Sequence, residues 1–103
     1  MSRRMLHKKS ENIIEVLNVL KILSHPVRLR ILCHLIEYGE MSAGEIVKAE
    51  EASASQSQIS QYLQILKKQG IIKNRKDGLF QHYSLAEPNI KKIITLLHAL
   101  YCK

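Results

Sequence analysis

Between Ser55 and Gly70 the chain reads SQSQISQYLQILKKQG, in which Gln56, Ser57, Gln58, Ser60, Gln61 and Gln64 are neutral side chains that both donate and accept hydrogen bonds. Ile59, Tyr62, Leu63 and Leu66 fall at i, i+3, i+4 and i+7, so a helix over this stretch has one apolar stripe and one polar face. Ordinary solvated faces are rich in Glu and Lys. Gln can pair bidentately with N6 and N7 of adenine, Ser can bond to several base edges, and neither sets a carboxylate beside phosphates. Lys67 and Lys68 follow near the C-terminal end. The chemistry expected of this face is recognition in a DNA groove, with Ser55, Tyr62 and Lys68 completing the contact set. The competing reading is a Gln-rich helix facing solvent.

The other reactive side chains are Cys33, Cys102 and five histidines, at positions 7, 25, 34, 82 and 98. The histidines are scattered, and neighbours such as Cys33 and His34 point about 100° apart on a helix. No phosphate loop, nucleophile elbow or zinc-protease motif occurs, so no enzyme is expected. The basic start MSRRMLHKKS lacks the apolar region of a secretion signal, and no run approaches the ~18 apolar residues of a membrane span. A cytoplasmic protein with no membrane partner is expected. Disulfides do not form there by default, so the cysteines are either inert core residues or redox-active ones.

At 103 residues a single domain over 1–103 is expected, with a core of Leu and Ile because the chain has only four Tyr, one Phe and no Trp. Sixteen Lys and Arg against nine Asp and Glu give a net charge of +7, which favours a polyanionic partner. No internal repeat or long linker divides the chain.

The elements that must position these residues follow from spacing. A first helix spans Ser10 to Leu23, with Ser10 as N-cap and Ile13, Val16, Leu17, Leu20 and Leu23 in helical period; Ile14, Val19 and Ile22 widen its apolar surface beyond one face. Ser24 is the expected cap of a second helix, Pro26 sits in its first turn, and Gly39 closes it in a left-handed conformation. Leu29, Leu32, Leu35 and Ile36 make its expected core face, leaving Cys33 half-buried at the margin. A short third helix begins at Ser42, with Glu45 in capping-box spacing. Ala52, Ser53 and Ala54 then lead to Ser55 and the polar-faced helix, a helix-turn-helix arrangement whose competitor is a plain helical hairpin.

After Gly70 the period turns strand-like. IIKNRK and LFQHYSL flank Asp77-Gly78, the expected centre of a type I′ hairpin turn. Lys73, Arg75 and Lys76 stand just before the tip, so Lys73, Arg75, Lys76, Asp77 and Gly78 are the candidate contacts of a wing on the phosphate backbone. A solvated edge hairpin guarded by Lys is the alternative. Glu87-Pro88 opens a last helix in which Ile90, Ile93, Ile94, Leu97, Leu100 and Tyr101 form a broad stripe. A small domain cannot hide so much apolar surface. A two-fold homodimer through the first and last helices would bury it and present two polar-faced helices to successive major grooves.

LSHPVRLRIL at 23–32, SQSQISQYLQILKKQGII at 55–72 and RKDGLFQHYSL at 75–85 resemble the ArsR-type family of winged helix-turn-helix regulators. The resemblance covers nearly the whole chain beyond residue 10. It implies a mainly α fold with a small β-hairpin, in the order four helices, two strands, one helix, and a homodimer that binds double-stranded operator DNA until an inducer is sensed. The chain departs from the pattern in carrying Tyr62 where many relatives have His. It also has a slightly longer connection before Ser55, whose Glu50 and Glu51 are expected near the phosphates.

Many family members bind metal through a Cys-x-Cys pair on the third helix or Asp and His on the last. Here the third helix has no cysteine, and the last offers only His98 and Cys102 at i, i+4. Two ligands do not close a zinc site unless a dimer pairs them, so neither metal nor cofactor is expected. RILCHL and LHALYC resemble instead the dithiol subgroup. That resemblance implies that Cys33 and Cys102 are linked by a disulfide or polysulfide in response to persulfide, polysulfide or oxidant. Arg30, one turn before Cys33, is expected to favour its thiolate and make it the attacking group.

Overall fold

In the computed structural model, which describes residues 10–102, five helices frame a three-stranded antiparallel sheet. Their order is α1 (Ser10–Leu23), α2 (Pro26–Tyr38), β1 (Glu40–Ser42), α3 (Ala43–Ala49), α4 (Gln56–Lys68), β2 (Ile72–Asp77), β3 (Phe80–Leu85) and α5 (Pro88–Tyr101). The side chain of Ser10, expected as a cap, and the basic segment before it lie outside the described residues. Among the described residues no helix is long and apolar enough to cross a membrane.

The winged helix-turn-helix order read from the sequence is present, with one addition. β1 pairs with β3 through Glu40↔Ser84, Met41↔Tyr83 and Ser42↔His82, giving the strand order β1-β3-β2. Three residues, Glu-Met-Ser, carry no alternation that could announce a strand. They pair because Met41 is buried and anchors the segment beside β3.

The core gathers Ile31, Leu32 and Leu35 of α2, Ile46 of α3, Ile59, Leu63 and Leu66 of α4, Ile72 of β2, and Ile90 and Ile94 of α5. The stripe of α2 is rotated from the expected one. Val27 and Ile31 are buried, whereas Leu29 and Ile36 pack only partly against the core and Cys33 is exposed rather than half-buried. Helical period alone permitted both choices, because apolar residues occupy most of this helix. His25, not Ser24, caps α2, accepting weakly from the N–H of Arg28 at 3.5 Å, while the Ser24 hydroxyl donates back to the Lys21 carbonyl at 2.8 Å. Gly39 ends the helix at φ 80°, ψ −55°, a positive φ outside the left-handed helical well that was expected.

The hairpin register runs from Ile72↔Leu85 to Asp77↔Phe80, so the two turn residues are Gly78-Leu79 instead of Asp77-Gly78. Gly78 has φ 61°, and among the described residues no non-glycine has positive φ. Glycine in the first central position with an ordinary residue second is the pattern of a type II′ turn. The side chain of Leu79 stands almost fully in solvent at the tip.

Candidate nucleic-acid interface and cysteine cleft

α4 is fixed at both ends by local chemistry. Ser55 and Gln58 form a capping box: the Gln58 N–H donates to the Ser55 hydroxyl at 3.1 Å, and the Ser55 N–H donates to the Gln58 side-chain oxygen at 2.9 Å. At the other end Gly70, at φ 74°, donates to the Lys67 carbonyl and Ile71 donates to that of Leu66, both at 3.0 Å, which is a Schellman closure. Buried Ile59, Leu63 and Leu66 seat the inner stripe. Gln56, Ser57, Ser60, Gln61, Gln64, Lys67 and Lys68 are left facing solvent.

Two expected reading residues have other duties. The capping box occupies the side-chain carbonyl of Gln58, so a bidentate pairing with adenine would cost the helix one of the two hydrogen bonds of that box. Tyr62 is partly buried, with its ring centroid 4.8 Å from that of His25 and 5.4 Å below the Arg28 guanidinium. It ties the middle of α4 to the first turn of α2.

The wing is divided rather than uniformly basic. Strand alternation sets Lys73 and Arg75 on one face of the sheet and Lys76 on the other. Arg75 reaches across β3 to Glu40, its Nε and Nη2 donating to the two carboxylate oxygens at 3.0 and 2.8 Å, and lies 3.9 Å from Asp77. These hydrogen bonds hold the Glu40 carboxyl below the usual carboxylate range. Lys73 and Lys76 are exposed and make no ion pair among the described residues. Glu40→Gln should therefore release Arg75 and remove a negative charge beside it. Fluorescence anisotropy with unrelated duplexes should show a several-fold rise in affinity and a salt slope steeper by about one phosphate contact. An unchanged slope would mean that Arg75 does not face the backbone.

Glu50, expected near phosphates, is turned inward and only 3% exposed. Its carboxylate accepts from Arg30 Nε at 2.8 Å and lies 3.1 Å from His34 Nε2. Arg30 and His34 are one turn apart on α2, so a single flank of that helix grips the end of α3. The only hint in the sequence was that i, i+4 spacing; nothing in it pointed to Glu50.

This arrangement also overturns the expected activation of Cys33. The Arg30 guanidinium is committed to Glu50. Although Cys33 is exposed, partial desolvation of its sulfur, with a smaller repulsion from Cys102, pushes the thiol up from its ordinary range. Both cysteines are free thiols. Cys33, Ile36 and Glu37 face Ile94, Thr95 and His98 across a cleft of about 510 Å³ between α2 and α5, and Cys102 follows His98 by one turn. His98 and Cys102 find no third ligand, since among the described residues no group of three His, Cys, Asp or Glu side chains is placed to hold a metal.

The apolar residues of the terminal helices are bare. Ile13, Ile14, Val16, Leu17 and Leu20 of α1 and Leu96, Leu97, Leu100 and Tyr101 of α5 are exposed, although Ile22, Ile90 and Ile94 of the same helices enter the core. Hydrophobic surface of this extent marks an interaction site.

Residues 25–74 match the model of a family described as bacterial regulatory protein, arsR family. The chain is 35% identical over 102 residues to the biofilm growth-associated repressor of Xylella fastidiosa, covering 99% of this chain and 84% of that protein. It is 35% identical over 98 residues to the transcriptional activator HlyU of Vibrio cholerae, covering 95% and 88%. Its fold superposes on the crystal structure of the transcriptional repressor BigR from Xylella fastidiosa with a TM-score of 0.83 at 34% identity, covering 100% of this chain and 99% of that one.

Proposed function

The chain belongs to the arsR family of bacterial regulatory proteins, and from that premise we propose that it is a homodimeric transcriptional regulator, a single winged helix-turn-helix domain whose hold on operator DNA is switched by linking Cys33 to Cys102. The observation that carries the DNA-binding part is the exposed neutral face of α4, clamped at both ends and flanked by Lys67, Lys68, Lys73 and Lys76. Repression is the sense carried over from the biofilm growth-associated repressor, while the other relative, at the same identity, is named a transcriptional activator.

Base reading falls to Gln56, Ser57, Ser60, Gln61 and Gln64, with Gln58 and Ser55 shaping the helix start, Lys68 meeting phosphate, and the wing adding Lys73, Lys76 and the backbone around Asp77 and Gly78. Gln61→Ala should lower the ratio of operator to random-duplex affinity about tenfold, within the ~1–3 kcal/mol expected of one bidentate contact. Equal loss on both duplexes would remove it from the reading role. Gln58→Ala should act first on thermal stability, by about 1 kcal/mol.

Two features support the switch: the cleft joining Cys33 to the helix that ends at Cys102, and the likeness of RILCHL and LHALYC to the dithiol subgroup. A direct disulfide needs Cα atoms about 4.4 to 6.8 Å apart, and intervening sulfurs relax that limit. One thiolate takes the outer sulfur of a persulfide and releases the persulfide's thiol. The second thiolate attacks the inner sulfur of the new cysteine persulfide, expels hydrosulfide and leaves a disulfide. If each cysteine first takes one sulfur, closure expels the same hydrosulfide and leaves a trisulfide. With peroxide, one thiolate displaces hydroxide to become a sulfenic acid, and the other thiolate displaces hydroxide from that sulfur to leave the disulfide, each hydroxide taking a proton from solvent. A hundredfold change in operator affinity requires the link to differ by ~2.7 kcal/mol between two dimer geometries.

The raised Cys33 thiol favours a rival in which the cysteines are structural and the regulator senses a metal or nothing. Intact mass measured beside operator binding separates the two. Loss of two hydrogens or gain of sulfur, with parallel release, supports the switch; retained zinc, or release without a mass change, overturns it. Affinity for duplex that falls steeply between about 50 and 200 mM salt is expected, and a flat response would indicate a module for protein alone.

A further inference from the structure

We infer that Glu50 is the latch through which the state of the cysteine pair reaches the recognition helix, an inference that rests on the dithiol reading above. α2 is a rigid rod with three occupied flanks. Ile31, Leu32 and Leu35, at 0%, 0% and 1% exposure, fix one flank in the core. Cys33, Ile36 and Glu37 turn a second toward α5. Arg30 and His34 hold Glu50 with the third, at 2.8 and 3.1 Å.

Glu50 is also where the helix-turn-helix bends. Its N–H closes α3 on the Ile46 carbonyl at 3.1 Å, and its own carbonyl accepts from Ser53 at 2.9 Å and Ala54 at 3.0 Å. The next residue, Ser55, caps α4. The main chain of Glu50 therefore shapes the turn that aims α4, while its side chain is anchored to the helix that carries Cys33.

The coupling follows from what each group costs to release. Drawing Cys33 toward Cys102 shifts or rotates α2 as a unit, because its own hydrogen bonds keep it straight. A carboxylate at 3% exposure cannot let go of Arg30 and His34 without stranding a buried charge. The turn is dragged with α2, and α4 changes its tilt relative to its copy in the dimer. A pair exposed at both ends would simply dissolve into water; here Arg30 is 44% exposed but Glu50 only 3%, and it is the buried carboxylate that makes the pair a tether.

The test compares the unsubstituted protein with Glu50→Gln and with the double variant Arg30→Met/Glu50→Met. The double variant replaces the pair by apolar side chains that such sites accept with little loss of stability. Thermal unfolding reports folding, intact mass reports the link, and operator affinity is measured in the reduced and the persulfide-treated protein. The unsubstituted protein should lose about 100-fold in affinity on linking. Both variants should show the same mass change yet lose less than about fivefold, so that the ratio of the two affinities collapses. A purely structural Glu50 would weaken both states alike and leave that ratio intact, and a ratio unchanged in the folded double variant overturns the latch alone. If the unsubstituted protein is linked and still holds its operator, the dithiol reading falls and the latch falls with it.

Discussion

Cys33→Ser and Cys102→Ser proteins should each keep operator affinity within about twofold of the unsubstituted protein when reduced, and should each lose the roughly hundredfold release expected of the unsubstituted protein with persulfide or peroxide. The small first effect follows from exposure: both thiols reach solvent, so the change of sulfur to oxygen creates neither a cavity nor an unsatisfied buried group. The large second effect follows from stoichiometry, because one remaining thiol can be persulfidated or oxidised but cannot bridge α2 to α5. The release rate should also rise with pH. Partial desolvation and the neighbouring Cys102 raise the Cys33 pKa, so its thiolate fraction is small at neutral pH and grows up to tenfold per unit as pH approaches that raised value. A rate that is flat from about pH 6.5 to 8.5 would assign the slow step elsewhere than Cys33. Undiminished release from either serine variant would sink the switch.

The second large effect concerns the bare faces of α1 and α5. Leu20→Glu combined with Leu97→Glu places one carboxylate on each, at positions 56% and 42% exposed in the isolated chain, so helical content by circular dichroism should hardly change. In a dimer packed through these faces, each copy would have to bury two unpaired charges, which is prohibitive. Sedimentation should show a monomer where the unsubstituted protein is expected to run as a dimer. Operator affinity should fall about 10²- to 10⁴-fold, since two half-sites would no longer be held by one particle. A variant that still sediments as a dimer would place the interface on another surface.

These expectations draw unequally on chain and fold. The caps of α3 and α4 were legible because capping boxes depend on residues three apart, and Ser42/Glu45 and Ser55/Gln58 satisfy them without help from the rest of the molecule. Only the first of these boxes is expected from the sequence, where the Gln58 side chain counts among the base contacts. The tip of the wing lies one residue beyond the expected place: Asp77-Gly78 matches a type I′ turn locally, but the register with β3 makes Gly78-Leu79 the turn. Arg30 illustrates the larger gap. Its place one turn before Cys33 suggested an activating charge, and only the return of α3 beside α2 gave the guanidinium a nearer anion in Glu50.

By itself the sequence determined what depends on neighbours within about one turn: the helices, the starts of α3 and α4, the polar face of α4, the broad apolar faces of α1 and α5, and the strand period on either side of Gly78. The tertiary structure alone decided which flank of α2 is buried, that Glu40–Ser42 becomes a strand, that Arg75 is tied to Glu40, and that Glu50 leaves the solvent for Arg30 and His34. The physical reason is range. Helix and turn preferences arise from contacts between residues close along the chain, whereas burial and ion pairing depend on groups 16, 20 or 35 residues apart that only the folded core brings together.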